Sequence, residues 1–290
     1  MADRRKLMVT GCNGQLGRAL QKVYADSKEY EYVGTDVDQL DITDADAVYR
    51  YIGELKPYAI INCAAYTNVD GCEKNEDTAY RINAVGPRNL AVAAEDFGAK
   101  LVHISTDYVF PGNGTDPYTE DMTPAPCSAY GRTKLAGEEF VKAFSRHYFI
   151  IRTAWLYGEG KNFVRTMLAL SEKNDTIGIV NDQLGNPTSA SELARVISLL
   201  LPTCGYGIYH GTCEGICSWA EFTEEIFRLA GKGTKVDRIS SAEYKRRFPE
   251  SADRPAYSAL DNRMLRLTTE IRFKDWKEAI AEYLKEEGVC

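Results

Sequence analysis

Over the first half of the chain, short unbroken apolar runs alternate with stretches whose apolar residues recur three or four apart. Leu7–Val9 reads as a strand ending at Thr10-Gly11, and Tyr32–Gly34 as a second strand ending at Asp36. Ala59–Cys63, Leu101–Ser105 and Tyr148–Arg152 are three more. Between them the helical period predicts helices over Leu16–Tyr24, Ala45–Glu54 and Asp77–Phe97, and another within Pro126–Phe144. Asp77–Phe97 reads as one long helix with Gly98 as its stop signal. Strands without polar alternation are covered on both faces, and intervening helices make parallel crossovers. The expected class is therefore α/β, a doubly wound parallel sheet of the Rossmann type.

After Trp155 the rhythm loosens. Helices are expected over Asn162–Ser171, Ser189–Leu201, Ser218–Ala230 and Asp275–Glu286, with a strand at Thr176–Val180. A turn-rich loop fills Asp182–Thr188, Ile208–His210 forms a short apolar run, and a loop spans Pro249–Pro255. This tail does not continue one simple sheet, so it is expected to form a smaller C-terminal lobe.

Composition narrows the class further. Forty-two acidic against 35 basic side chains give a formal net charge of −7. That argues against a nucleic-acid binder, which normally carries a basic face. No apolar run approaches the roughly 20 residues a membrane span needs. The opening Met1–Lys6 leads straight into a strand, with no signal-peptide pattern, so a cytoplasmic protein is expected. The eight cysteines are scattered and include no Cys-x-x-Cys pair. They are expected to be reduced, mostly buried thiols, and no metal site is predicted.

The chemistry begins at the first strand's end. Gly11-Cys12-Asn13-Gly14-Gln15-Leu16-Gly17 links that strand to the first helix. Glycines there permit a tight turn and let a pyrophosphate approach the backbone, and a helix N-terminus offers free N–H groups. The spacing is Gly-x-x-Gly-x-x-Gly. Asp36 ends the second strand, where a carboxylate accepts hydrogen bonds from the ribose hydroxyls of NAD and repels the phosphate of NADP. Asp38 and Asp41 crowd the same region, and Asp41-Ile42 is placed to flank the adenine. The expected cofactor is NADH or NADPH, with this acid cluster tilting toward NADH. Asn62-Cys63-Ala64-Ala65 ends the third strand in small residues that leave room beside the sheet. The expected division is residues 1–155 as the dinucleotide-binding domain, the helix near 189–201 returning to it, and 156–290 mostly as the substrate-binding lobe.

Tyr130 and Lys134 stand four apart, on one face of a helix. An ammonium beside a phenol favours phenolate, which lowers the tyrosine pKa and allows proton exchange with a carbonyl or alcohol. Ser105-Thr106-Asp107-Tyr108 ends the fourth strand, where ligands of open α/β sheets bind. A hydroxyl there can hold the oxygen that Tyr130 protonates. Thr106, Tyr130 and Lys134 are thus the expected catalytic trio, with Tyr130 as proton donor. Trp155, just past the fifth strand, is expected to pack on the substrate through its indole, while Trp219 and Trp276 read as core.

These segments, with Arg152-Thr153-Ala154-Trp155-Leu156-Tyr157-Gly158, Asn181–Thr188 and Arg254-Pro255, give a chain that resembles the extended short-chain dehydrogenase/reductase family over nearly its whole length. More narrowly it resembles the branch that reduces the C4 ketone of a dTDP-bound 4-keto-6-deoxyhexose to dTDP-L-rhamnose. The resemblance implies a nucleotide-sugar substrate held by Thr106, Asp107 and Trp155, with Arg254 suited to the diphosphate. It also implies a cofactor lined by Gly14, Gln15, Leu16, Asp36, Asp41, Ile42, Ala64, Ala65, Tyr66, Tyr130 and Lys134, joined by the glycine-loop residues Gly11, Asn13 and Gly17. Two positions depart from the pattern: Tyr66 where relatives often have His, and Ile104 where some have Tyr. Sister dehydratases carry Thr-Asp-Glu where this chain has Thr106-Asp107-Tyr108, so water elimination is disfavoured. Epimerases, and a regulatory subunit like that of methionine adenosyltransferase, share the scaffold; the regulatory role has no need of the trio. A homodimer is compatible with the chain.

Overall fold

The computed structural model describes residues 4–289; Met1–Asp3, part of the opening read as lacking a signal sequence, and Cys290, one of the expected thiols, lie outside the described residues. Six strands form the central sheet: β1 (Arg5–Thr10), β2 (Tyr30–Thr35), β3 (Ala59–Asn62), β4 (Lys100–Thr106), β5 (Tyr148–Thr153) and β6 (Gly207–His210). Their order is β6-β5-β4-β3-β1-β2, every pair parallel. The expectation that the tail stays out of this sheet is corrected by β6, which lies on the open edge of β5 from Gly207 opposite Phe149 to His210 opposite Arg152. A run this short carries no strand period of its own, and only the free edge of β5 recruits it.

The unbroken apolar strands are explained by the two faces they serve. In β1, Leu7 and Val9 pack with Leu16 and Leu20 of helix α1 (Gln15–Tyr24), while Met8 points to the opposite face. There it meets Val48 and Ile52 of α2 (Ala45–Leu55). Neighbouring residues of a strand alternate faces, so a sheet covered twice has no polar positions to spare.

The long helix expected over 77–97 is interrupted. After a short α3 (Val69–Lys74) come α4 (Glu76–Tyr80), a wide π turn over Arg81–Val85, and α5 (Gly86–Asp96). Pro87 is the cause: it has no N–H to donate to the carbonyl of Asn83 four residues earlier, and its ring crowds that carbonyl. Asn83, fully buried within this turn, binds outside the helix through its side-chain amide. Its Oδ1 accepts from the Tyr66 N–H at 2.8 Å, and its Nδ2 donates to the Tyr66 carbonyl and to Thr133 Oγ1, both at 3.1 Å.

Helices α6 (Ala129–Phe144), α7 (Phe163–Ser171), α8 (Ala190–Leu200) and α9 (Trp219–Leu229) follow, then α10 (Ser241–Arg247), α11 (Arg263–Thr268) and α12 (Trp276–Glu286). Helix α8 packs beside α1 against the main sheet. The later segments pair among themselves: Thr176–Val180 lies parallel to Lys235–Ile239, and Leu184–Gly185 antiparallel to Cys217–Ser218. One apolar cluster runs from Leu7 and Val9 through Leu193 to Phe222, Ile226 and Trp276, so the C-terminal segments share the core of one sheet face. Among the described residues, no helix is long and apolar enough to cross a membrane.

Candidate active site

The sheet order reverses between β1 and β3, and a crevice opens there at their carboxyl ends. Gly11 turns the chain out of β1 with φ +64°, a conformation that costs other residues strain. A β-carbon on it would lie 2.8 Å from the Ala64 nitrogen, in the segment just past β3. Gly14 then starts α1 with no side chain capping the first turn, which leaves backbone N–H groups free for an anion. The Asp36 carboxylate accepts from the Asn13 N–H at 3.1 Å and the Val37 N–H at 2.9 Å, which fixes it beside the glycine turn.

A cavity of about 1070 Å³ runs from this turn past Asp36 and Ala64 to Thr106, Tyr130 and Trp155. Gln15, which lines it, carries a buried Oε1 with no hydrogen-bond partner. An uncapped helix N-terminus at the glycine turn, the Asp36 carboxylate beside it and an unpartnered amide oxygen together fit a dinucleotide.

The far end is assembled by α6. Ser128 caps that helix, accepting from the Gly131 N–H at 3.1 Å. Gly131 presses on the turn after β4: a β-carbon there would sit 2.1 Å from the Tyr108 carbonyl oxygen. This close approach brings the Tyr130 phenol beside Thr106, near enough for that hydroxyl to act on its ionisation. The Tyr108 ring meets the Tyr130 ring edge-on, 5.4 Å between centroids. Thr106 Oγ1 donates to Asp107 Oδ1 at 2.7 Å and accepts from the Tyr108 N–H at 3.2 Å.

Burial sets the protonation states. It pushes the Tyr130 phenol well above its ordinary value, against the Thr106 hydroxyl, with the Asp107 charge adding to the rise. The spacing had suggested the opposite direction. The difference arises because Lys134 donates to the Ile104 carbonyl at 2.6 Å, and burial lowers its own pKa to about 8 against the pull of Glu138. Tyr130 is thus held as a neutral phenol, a group that can give a proton. Burial raises Asp107 to about 6, opposed by the Thr106 hydroxyl.

Beneath the trio lies a fully buried ion pair. Arg152 reaches Glu138 through Nη2 at 2.7 Å and Nε at 3.0 Å, and Ser105 Oγ donates to the same carboxylate at 2.5 Å. Glu138 stands four residues after Lys134, so the helical period alone could have flagged it.

Of the residues singled out in the sequence, the cavity is lined by Gly11, Asn13, Gly14, Gln15, Leu16, Gly17, Asp36, Asp41, Ile42, Ala64 and Ala65. Thr106, Asp107, Tyr130, Lys134 and Trp155 line its other end. Tyr66 and Arg254 stand outside that lining. The Tyr66 backbone is held by Asn83, and Arg254 faces Asp70 at 3.9 Å, near enough to Tyr108 for its charge to act on that phenol. Sequence reading missed Arg18, Glu159 and Trp219, all on the cavity wall. Arg18 binds the Asn13 carbonyl at 2.9 Å and Glu159 at 3.1 Å. Trp219 was read as core, and no local pattern distinguishes it.

A glycine-cradled dinucleotide crevice ending in a Thr/Tyr/Lys trio defines an oxidoreductase of the short-chain dehydrogenase/reductase type. Residues 5–289 match the family model described as RmlD substrate binding domain, and the chain belongs to that family. It is 38% identical to the dTDP-4-dehydrorhamnose reductase of Aggregatibacter actinomycetemcomitans, over 95% of this chain and 97% of the relative. A solved dTDP-4-dehydrorhamnose reductase from Clostridium acetobutylicum is 50% identical with a TM-score of 0.94, covering 98% of this chain and 99% of the other. Another, from Bacillus anthracis in complex with NADP, is 44% identical with a TM-score of 0.93, over 98% and 99%.

Proposed function

We propose that the protein is a dTDP-4-dehydrorhamnose reductase, reducing the C4 ketone of dTDP-4-dehydro-L-rhamnose to dTDP-L-rhamnose with NAD(P)H. The observation that carries this is the Tyr130 phenol beside Thr106 at the inner end of the dinucleotide cavity, its ring edge-on to Tyr108 where dehydration would call for a carboxylate. Family membership and the named reductases support it.

The free N–H groups of α1 receive the cofactor's phosphates, the Gln15 Oε1 accepts from a cofactor hydroxyl, and Asp36 holds the adenosine ribose. The bound reduced nicotinamide supplies hydride to C4. Tyr130 delivers its proton to the oxygen as negative charge develops on it. Thr106 holds the same oxygen, a stabilisation aimed at charge formed in the transition state. Without substrate that hydroxyl donates to Asp107, and it turns from Asp107 to donate to the developing oxyanion. Lys134, anchored on the Ile104 carbonyl, binds the nicotinamide ribose and is the cation on the Tyr130 face of α6 once the phenol has lost its proton. Trp155 and Asp107 hold the sugar. Arg254, whose 3.9 Å contact with Asp70 is a loose pairing, is suited by its planar fork to the diphosphate.

The repulsion between Asp36 and a 2′-phosphate favours NADH, although the Bacillus anthracis relative holds NADP. Residues 1–155 with α8 make the cofactor side, and most of 156–290 the substrate side. A cytoplasmic setting suits the seven described cysteines, all free thiols.

The test is turnover of dTDP-4-dehydro-L-rhamnose with NADH and with NADPH, following cofactor oxidation and identifying dTDP-L-rhamnose as product. No oxidation of either cofactor, or a 4-epimer or dehydrated product, would overturn the reading.

A further inference from the structure

Trp155 leaves β5 with φ +46°, in the left-handed region that a bulky residue enters only at a cost. Strain of this kind persists where the surroundings over-determine the backbone. Here the determining groups come from the C-terminal segments. Trp219, the first residue of α9, stacks face to face on the Trp155 indole, with centroids 3.6 Å apart and planes 7° from parallel. Gly185 lies against the same indole: a β-carbon there would sit 2.6 Å from its Cε2. The Thr188 N–H donates to the Trp155 carbonyl at 3.2 Å.

These holding groups form one unit. Gly185 pairs with Cys217 in the short antiparallel ladder. The next residue, Ser218, caps α9 in a reciprocal box with Glu221, so the Trp219 backbone is fixed at the first turn. Phe163 backs the Trp219 ring at 4.4 Å. Both indoles are half-buried, and both line the cavity that holds Thr106 and Tyr130.

We infer that Trp219 is a positioning residue for substrate: with Gly185 it fixes the Trp155 indole in the cavity wall, and so sets affinity for the sugar nucleotide without touching the reacting atoms. The inference rests on the reading above that this end of the cavity takes a nucleotide sugar. A purely structural stack would cost stability when broken and leave the balance between the two substrates unchanged. A positioning stack instead weakens one substrate and spares the other, because the glycine cradle and Asp36 stand at the opposite end.

The experiment uses the intact protein and four variants, Trp219→Phe, Trp219→Ala, Gly185→Ala and Trp155→Phe. It measures binding of dTDP-L-rhamnose and of NADH by calorimetry, steady-state KM for both substrates, and circular dichroism. Two indoles stacked this closely couple excitonically, so Trp219→Phe and Trp155→Phe should each abolish the same couplet. Trp219→Ala and Gly185→Ala should weaken nucleotide-sugar binding roughly tenfold, the scale of a lost aromatic pair, and move NADH affinity less than twofold. Trp219→Phe, which keeps a ring in place, should recover part of the loss. Should Trp219→Ala fail to fold, Gly185→Ala and Trp219→Phe decide the matter. Equal weakening of both ligands, or unchanged sugar-nucleotide binding in folded variants, overturns the inference. Wild-type protein that binds the nucleotide sugar without reducing its keto form would sink only the reductase reading; binding no nucleotide sugar overturns both.

Discussion

Replacing Glu138 with glutamine would test how the buried ion pair under the trio serves both stability and catalysis. Glu138 is 0% exposed and Arg152 2%, and the carboxylate receives Nε, Nη2 and the Ser105 hydroxyl. The amide keeps the shape and removes the charge, leaving a guanidinium buried beside the Phe110 ring without its counter-ion. Breaking such a pair costs on the order of 3–5 kcal/mol. At roughly 2–4 °C per kcal/mol for a chain of this size, the melting temperature should fall by roughly 6–20 °C. The same carboxylate raises the Lys134 pKa against burial, so its loss should drop Lys134 below about 8. The folded pKa of Lys134 already lies under its ordinary 10.5, so folding disfavours the ammonium. Wild-type stability should therefore rise with pH between about 8 and 10.5. In Glu138→Gln that rise should begin at lower pH, and the alkaline limb of kcat/KM should shift the same way. Thermal melts across pH and a pH–rate profile measure both effects. A melting temperature within about 2 °C of wild type, or an alkaline limb that does not move, would refute the reasoning.

Tyr130→Phe removes the proton donor and should lower kcat roughly 10²–10⁴-fold with little change in cofactor affinity; a near-normal kcat rules out that role. Asp107, pushed up to about 6 by burial, shares the Thr106 hydroxyl, so its ionisation should set an acid limb of kcat/KM near pH 6. Its folded pKa lies above its ordinary 3.8, so the same ionisation removes stability between about pH 4 and 6. Asp107→Asn should erase that acid limb, and a limb persisting in the variant would assign it to another group. Asp36→Ala removes the charge that opposes a 2′-phosphate and should raise the NADPH-to-NADH preference about tenfold, whereas an unchanged ratio would free Asp36 of coenzyme choice.

Most of the sheet was legible because strands buried on two faces must be apolar without interruption, as Leu7–Val9 and Ala59–Ile61 are, and because Gly11 and Asp36 punctuate strand ends where a dinucleotide site requires them. The Tyr130–Lys134 pair was legible as helical spacing. What that spacing could not say is where the ammonium goes. It binds the Ile104 carbonyl, and burial carries the phenol upward, since desolvation depends on everything packed around a group. The break in the 77–97 helix was written in Pro87, yet the outcome, Asn83 reaching both the Tyr66 backbone and Thr133, needed α6 in place. The sixth strand and the Trp155–Trp219 stack were decided by tertiary structure alone. Ile208–His210 becomes a strand only because β5 offers an edge. Trp219 is no different from a core residue until the ladder of Leu184–Gly185 with Cys217–Ser218 brings it onto Trp155. Local periodicity reports which face of an element is buried, and the sequence alone determined that much. Which distant side chain occupies that face is set by how the elements close on one another.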